Sequence, residues 1–333
     1  MSHIVTMIVE NRNCIRMMRN MTIDIKSNCR FIPTFDTSIV RNTWNEDAMS
    51  LRKFLREYTP AVITGAGLST SAGIPCYRGE KGSYSHGHVP LQHAEFVQSK
   101  SKRKRYWARS LRGFEYFHRR TFTRAHQLLA KELNVGRIVT QNVDRLHHQA
   151  GSKGVVELHG RGDRVVCLKC NEVESRKKFT DRMREANRTW IQDNKLRIFA
   201  DEEGDDIRAD GDAHLESNDF ETFHVPSCRS CGHEIVMPDL VFFGGSIPGT
   251  VKEQAAKIVD EADGLLIVGS SCSTYSAFSL VRRAQDASKP IAMINIGPTR
   301  VDDMVDDGMK FEYPIDSFLE EVAEDETRNF LVQ

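Results

Sequence analysis

Residues 61–78 read Ala61-Val-Ile-Thr-Gly65-Ala-Gly67-Leu-Ser69-Thr-Ser-Ala-Gly73-Ile-Pro-Cys-Tyr77-Arg78. Ala61-Val62-Ile63-Thr64 is a short apolar run of the kind that forms a buried strand, and the helical pattern of Asp47–Tyr58 leads into it. Three glycines follow within nine positions. A glycine-rich turn after a strand lets backbone approach a pyrophosphate, and the N-terminus of a following helix favours negative charge. Thr70 breaks the G-x-G-x-x-G spacing, so the stretch alone also fits an ordinary strand-to-helix turn.

Four more strands can be read outward from this loop. Arg137–Thr140 ends at Gln141, Asn142 and Asp144, and Val155–Leu158 ends at His159-Gly160. Gly264–Val268 ends at Gly269-Ser270-Ser271, and Ile291–Ile296 closes on Asn295-Ile296-Gly297. Helical patterns at 103–117, 125–133, 251–261 and 277–287 lie among them. Strand and helix in alternation predict parallel βαβ units, hence an α/β, Rossmann-like doubly wound parallel sheet. Ligands of such sheets bind beyond the carboxyl ends of the strands, where all these polar and glycine-rich groups fall. His159 there is a candidate general base, although a lone histidine is also commonly a satisfied structural one. Asn142 and Asp144 alone would equally fit a turn capped by local bonds to backbone.

The α/β pattern is interrupted between Cys167-x-x-Cys170 and Cys228-x-x-Cys231 and resumes at Val241-Phe242-Phe243. Four thiolates satisfy tetrahedral zinc and leave no open position, so the expected metal is one structural zinc. A redox C-x-x-C would not explain the second pair. Two unrelated pairs of free cysteines are the alternative. Cys14, Cys29, Cys76 and Cys272 are not assigned as ligands. Residues 171–197 are charged and 201–212 acidic, which reads as surface helix and loop. The expected organisation is a leader at 1–34, a dinucleotide domain from 35–83, 125–165 and 236–322, a helical insertion at 84–124, a small zinc-binding domain at 166–235 and a tail at 323–333.

Composition narrows the class. The chain has 333 residues, 40% of them hydrophobic, with 46 Lys+Arg against 46 Asp+Glu. This balance argues against a general nucleic-acid or membrane-surface binder. No stretch approaches the roughly 18 apolar residues of a membrane span. The first thirty residues carry Arg12, Arg16, Arg19, Lys26 and Arg30 against Glu10 and Asp24. A basic, acid-poor leader reads as a mitochondrial transit peptide, with a matrix location; a variable N-terminus on a cytoplasmic protein is the other reading.

Together, Gly65–Arg78, Thr140–Asp144, Leu158-His159-Gly160, the four cysteines, Pro238–Gly244, Gly269–Ser271 and Asn295–Gly297 resemble the sirtuins, the NAD-dependent protein deacylases. The resemblance spans residues 35–320. Arg105-Tyr-Trp-Ala-Arg109 and Asn295-Ile-Gly-Pro-Thr-Arg300 look like the mitochondrial sirtuin four group of class II. It implies that an acyl-lysine oxygen attacks the ribose carbon of NAD as nicotinamide leaves, and that the acyl group moves to ADP-ribose. His159 would be the base. Asn142 would hold ribose and water, with Asp144 and Gln141 positioning the nicotinamide ribose. Gly65, Ala66, Gly67, Ser69, Tyr77 and Arg78 would line the NAD pocket, and Gly269, Ser270, Ser271, Asn295, Ile296 and Gly297 its adenosine end. Leu240, Val241 and Phe243 match the family's acyl-lysine tunnel, whose edge at Phe243-Gly244-Gly245 suits strand addition by a peptide.

Tyr106 and Arg109 share a helix face and resemble the pair that grips acidic acyl chains in desuccinylase-type members. A solvated basic helix, with Arg103, Lys104, Arg105 and Arg112 beside it, is the competing reading. Four departures from the family stand out: Cys76 for an aspartate, Cys272 for an aliphatic residue, Gly245 for an acidic one, and Arg145 for a small one. The partners implied are acyl-lysine proteins or peptides, and the sequence does not fix an oligomeric state. An ADP-ribosyltransferase, a lipoamidase-type deacylase and a weakly active NAD-sensing scaffold are the other functions compatible with this site.

Overall fold

The structure is a computed structural model that describes residues 37–77, 89–194, 215 and 220–330; the side chains of 37–42 and 325–330 are excepted. The leader at 1–34 and Arg78 lie outside these residues, as does the acidic run 201–212. Residues 47–333 cluster as one unit.

Six parallel strands form the main sheet. They are β1 (Ala61–Thr64), β2 (Ile138–Thr140), β3 (Val156–Glu157), β7 (Leu265–Val268), β8 (Ile291–Ile294) and β9 (Lys310–Phe311). Their order is β3-β2-β1-β7-β8-β9, with every neighbouring pair parallel. β1, β7 and β8 are buried at every residue. Such strands must be apolar on both faces, which is why Ala-Val-Ile-Thr, Leu-Leu-Ile-Val and Ile-Ala-Met-Ile do not alternate with polar residues. Chain order reverses between β1 and β7. That reversal opens a crevice at the carboxyl ends of the two strands, the switch point of a doubly wound sheet.

Helices cover both faces. α8 (Gly249–Glu261) brings Ala255, Ile258 and Val259, and α9 (Tyr275–Asp286) brings Ala277, Leu280, Val281 and Ala284, to a core shared with β1, β7 and β8. α1 runs Thr37–Glu57, starting earlier than the expected Asp47. α4 (Arg124–Lys131) is tied to α10 (Ile315–Phe330), where Asp316 Oδ1 accepts from the Ala125 N–H at 2.6 Å. α10 carries helix through most of the tail expected at 323–333. Its Phe318, Leu319, Val322 and Ala323 are buried and recur at helical spacing.

A second sheet is antiparallel, in the order β5-β4-β6. It contains β4 (Gly160–Cys167), β5 (Val173–Ser175) and β6 (Val236–Leu240). This sheet crosses both junctions expected at 165/166 and 235/236. Regular structure resumes at Val236 rather than Val241, and it resumes here, not in the parallel sheet. α3 (Lys100–His118), α6 (Arg176–Ala186) and α7 (Arg188–Asp193) pack beside it. Their core holds Trp107, Leu111, Phe179, Met183 and Trp190, joined by Phe96 of α2 (His93–Gln98). Residues 171–194 therefore carry surface helices, as expected, but α6 and α7 also bury an apolar stripe at Phe179, Met183 and Trp190.

Candidate active site

The loops after β1 and β7 interlock. The Gly67 N–H donates to Gly269 O at 2.9 Å, and Gly269 sits at φ 62°. A Cβ added to Gly65 would lie 2.8 Å from Gly269 O, and one on Gly269 would lie 2.4 Å from the Leu68 nitrogen. No side chain fits at either position, so bare backbone lines the crevice here. The residues after Gly65 form a 3-10 helix, Ala66–Ala72. The cleft above measures about 2000 Å³. Ordinary small-ligand pockets hold roughly 300–1,000 Å³. Its size and glycine cradle fit a dinucleotide together with an extended peptide.

Polar groups from four segments converge at the cleft. Asn142 Nδ2 donates to Gly65 O at 3.0 Å and to Ser69 Oγ at 3.1 Å. Ser69 Oγ donates to Asp144 Oδ2 at 2.7 Å. Gln141 Nε2 donates to Ser270 Oγ at 2.7 Å, and its Oε1 accepts from Thr274 Oγ1 at 3.2 Å. His159 is held at both nitrogens: Nδ1 lies 3.2 Å from Gln141 O and Nε2 lies 2.9 Å from Ser276 Oγ. An Nδ1–H donating to that carbonyl leaves Nε2 as the acceptor. Burial lowers the pKa of His159 below its ordinary value, partly offset by the Gln141 carbonyl. The imidazole is neutral at pH 7, the state a base requires.

Most residues singled out in the sequence line this one cleft. Gly65, Ala66, Gly67 and Tyr77 are on its wall, as are Gln141, Asn142 and His159. So are Gly269, Ser270 and Ser271, with Asn295, Ile296 and Gly297 at the β8 end. Ser69 and Asp144 are not on the wall. Ser69 accepts from Asn142 and donates to Asp144, so both are linked to the cleft through Asn142. Thr274 and Ser276 were not singled out in the sequence. Their signal was the hydroxyl run Ser270–Ser276 at the start of α9, where Thr274 caps the helix. Cys76 lines the cleft and is half-buried. Cys272 is fully buried at φ 48°, and burial pushes its thiol up to about 11.

Leu240, Val241 and Phe243 also reach the cleft. The edge expected to receive a peptide is partly taken, because Phe243 O accepts from the His93 N–H at 2.8 Å. Tyr106 and Arg109 line the same cleft from α3, with Arg109 only 8% exposed. Arg103, expected on the same solvated face, is buried too and donates to Phe96 O and Val97 O. Arg103 and Arg109 are therefore both off the solvated side of α3.

The four cysteines form a separate centre. Their Sγ atoms lie within 4.8 Å of one another, with Cys167–Cys231 at 3.7 Å and Cys170–Cys228 at 3.6 Å. Thiolates at Zn–S of about 2.3 Å on tetrahedral corners are about 3.8 Å apart, so the cage fits zinc. β4 begins next to His159 and ends at Cys167. At roughly 3.3 Å per residue it sets the two centres on the order of 20–25 Å apart, which is the separation expected of a structural metal.

The Sir2 family profile matches residues 65–276. The chain belongs to the Sir2 family. Among curated Sir2 relatives, it is 38% identical over 316 residues to the NAD-dependent protein deacylase SIR4 of Monosiga brevicollis, covering 92% of this chain and 94% of that one. It is 42% identical over 248 residues to the human mitochondrial NAD-dependent protein lipoamidase sirtuin-4, covering 73% and 76%. A bacterial relative, the NAD-dependent protein deacetylase 2 of Bradyrhizobium diazoefficiens, is 42% identical over 260 residues, covering 77% and 91%. Among solved structures, a Sir2 enzyme superposes with TM-score 0.65 at 26% identity, covering 86% of this chain and 99% of that one. A Sir2 protein bound to a propionylated peptide gives 0.64 at 24%, which adds to the fold comparison alone.

Proposed function

We infer that this Sir2 protein is an NAD-dependent protein-lysine deacylase with one structural zinc. The observation that carries this reading is His159. A neutral imidazole is held at the crevice between β1 and β7, with Nδ1 tied to a backbone carbonyl and Nε2 directed at a single serine hydroxyl in the cleft. NAD enters as a substrate: the backbone at Gly65, Gly67 and Gly269 would hold its pyrophosphate, and Ser270 and Asn295 its adenosine end. The acyl-lysine stem enters past Leu240, Val241 and Phe243.

The chain's own groups then have distinct tasks. Asn142, fixed by Gly65 O and Ser69, presents a rigid amide to the reacting ribose. Gln141 ties the loop after β2 to Ser270, so the two sides of the crevice hold one geometry. After the acyl oxygen has bonded to the ribose carbon and nicotinamide has left, His159 Nε2 takes a proton from the ribose hydroxyl system; that hydroxyl bonds to the acyl carbon, one water supplies the remaining oxygen, and the lysine amine leaves as its bond to the acyl carbon breaks. Fixed polar groups cost little reorganisation when charge develops. The experiment is incubation with NAD and a panel of acyl-lysine peptides. Free lysine peptide, nicotinamide and O-acyl-ADP-ribose are expected. ADP-ribose attached to protein without deacylation would replace this reading with the transferase.

A mitochondrial location is the finer proposal, supported by the basic residues of 1–34 and by the human relative's mitochondrial name. Among the described residues no helix is long and apolar enough to cross a membrane. Fusing residues 1–34 to a fluorescent reporter tests it, with import into mitochondria expected and a diffuse cytoplasmic signal contrary.

A further inference from the structure

Arg176 is the first residue of α6, in the zinc-bearing half of the molecule, and it is 3% exposed. Among the described residues no carboxylate pairs with it. Its partners are neutral and all but one belong to α3. Nη2 donates to Ser110 Oγ at 2.8 Å and to Ser110 O at 3.3 Å. Nε donates to Thr180 Oγ1, one turn along its own helix, at 3.2 Å. The guanidinium carbon lies 4.6 Å from the Trp107 ring centre and 5.0 Å from that of Phe114. One buried cation thus touches residues 107, 110 and 114, a continuous stripe on α3.

That stripe adjoins the part of α3 that faces the cleft. Tyr106 links the two, since its ring lies 5.4 Å from that of Trp107, over which Arg176 sits, while its side chain lines the cleft beside Arg109. Its ring is packed at 5.5 Å from Phe96 and 5.4 Å from Phe242, so it has little freedom to turn. Burying a guanidinium without a counter-ion is costly, and here burial lowers its pKa to about 10, partly offset by Tyr106. An apolar residue of similar volume would fill the same space between two aromatic rings with less penalty. What it would not do is bond the Ser110 hydroxyl and so fix α3, with the Trp107 ring against which Tyr106 packs, in one orientation.

We propose that Arg176 is a positioning residue for acyl recognition: it clamps α3 from the zinc side and fixes the angle at which Tyr106 and Arg109 meet the acyl chain. The proposal rests on the deacylase reading of the cleft. It assigns chain selectivity to a residue outside the cleft. It also makes the packing of α6 against α3 the route by which the zinc-bearing half affects the acyl site.

The test is steady-state deacylation of one peptide carrying either acetyl-lysine or glutaryl-lysine, the second chain being longer and ending in a carboxylate. Wild type is compared with Arg176→Met, Ser110→Ala, Tyr106→Phe and the Arg176→Met/Tyr106→Phe double variant. Zinc content is measured for each. The expected result is that Arg176→Met raises KM for the glutaryl peptide about tenfold more than for the acetyl peptide, with zinc retained. Tyr106→Phe should then add little to it, as coupled residues do. Ser110→Ala removes the shorter of the two bonds with little change in volume, and should shift the same ratio in the same direction if Arg176→Met does not fold. Equal losses on both peptides with additive effects, or a wild type that turns over acetyl-lysine alone, would overturn the positioning role and leave the deacylase standing. A wild type that releases nicotinamide from neither mixture would overturn both.

Discussion

Ser69 Oγ donates to Asp144 Oδ2 at 2.7 Å, joining the glycine-loop helix to the segment after β2. Ser69 is fully buried and Asp144 also accepts from the Leu146 N–H at 2.9 Å. The carboxylate is thus linked to Asn142 through Ser69, which accepts from Asn142. Asp144→Asn keeps the size but makes one contact donor-to-donor. A hydrogen bond to a charged group is worth about 1.5–3 kcal/mol, so turnover should fall roughly ten- to a hundredfold. Ser69→Ala should give a similar loss, and the double variant little more than either alone. Fully additive losses would show that Asp144 acts on the substrates by a separate route.

His159 gives a pH prediction with a definite sign. Burial lowers its pKa from the ordinary 6.5, so the active neutral form dominates at pH 7 and is lost only as pH falls below that lowered value. kcat/KM should be flat from pH 7 to 8 and drop on an acid limb below 6.5. His159→Ala should lower turnover by roughly 10²–10⁴ and abolish that limb while leaving the thermal midpoint close to wild type. A variant that keeps the limb would assign it to another group.

Much of this architecture was legible in sequence where local pattern and tertiary role agree. β1, β7 and β8 are unbroken apolar runs because both faces are covered, and the glycines that follow β1 and β7 have no room for a Cβ. β6 was not legible. It reads Val-Met-Pro-Asp-Leu, and Pro238 argues against a strand until β6 is seen to be an edge strand of its sheet, where a missing N–H is tolerated. β9 is two residues long and carries no period. In the charged α6, Phe179 and Met183 are diluted by lysines and arginines, so its buried stripe stays hidden. The placement of Asp144 behind Ser69, and the two-sided grip on His159, depend on segments far apart in the chain. Spacing along a sequence shows which groups reach a sheet edge, and not which of them face the cleft.

The zinc prediction separates folding from chemistry. Cys167 and Cys228 are buried while Cys170 and Cys231 are exposed, so the cage is anchored from one side. Metal analysis should find one zinc per chain. Cys167→Ser should lose the metal together with thermal stability and solubility, because the binding energy of a structural zinc is folding energy. An active wild-type protein free of zinc would contradict this.

Beneath the β1–β2 edge, His126 and His147 stack edge to face with ring centres 4.8 Å apart, and both are buried. His147 Nε2 lies 3.0 Å from Thr64 Oγ1, which donates to Thr140 Oγ1, the acceptor for the Asn142 N–H. His126 Nδ1 is 2.9 Å from Thr123 Oγ1. Burial lowers both pKa values below 6.5; for His126, Asp144 and Asp316 act weakly the other way, and for His147 its two histidine neighbours add to the lowering. The unfolded chain therefore binds more protons than the fold at mildly acid pH, and stability rises with pH through this window. Acidification from the unfolded value near 6.5 downward should destabilise the protein. Each histidine that stays neutral in the fold while its unfolded counterpart is charged contributes about 1.4 kcal/mol per pH unit. The thermal midpoint should hold between pH 7 and 8 and fall steeply from pH 6.5 to 5. His147→Gln, which keeps a polar group near Thr64 but does not titrate, should start from a lower midpoint and lose less of it on acidification. If wild type and His147→Gln lose the same number of degrees over that range, the acid sensitivity belongs to other groups, with His148 beside Glu157 the next to replace.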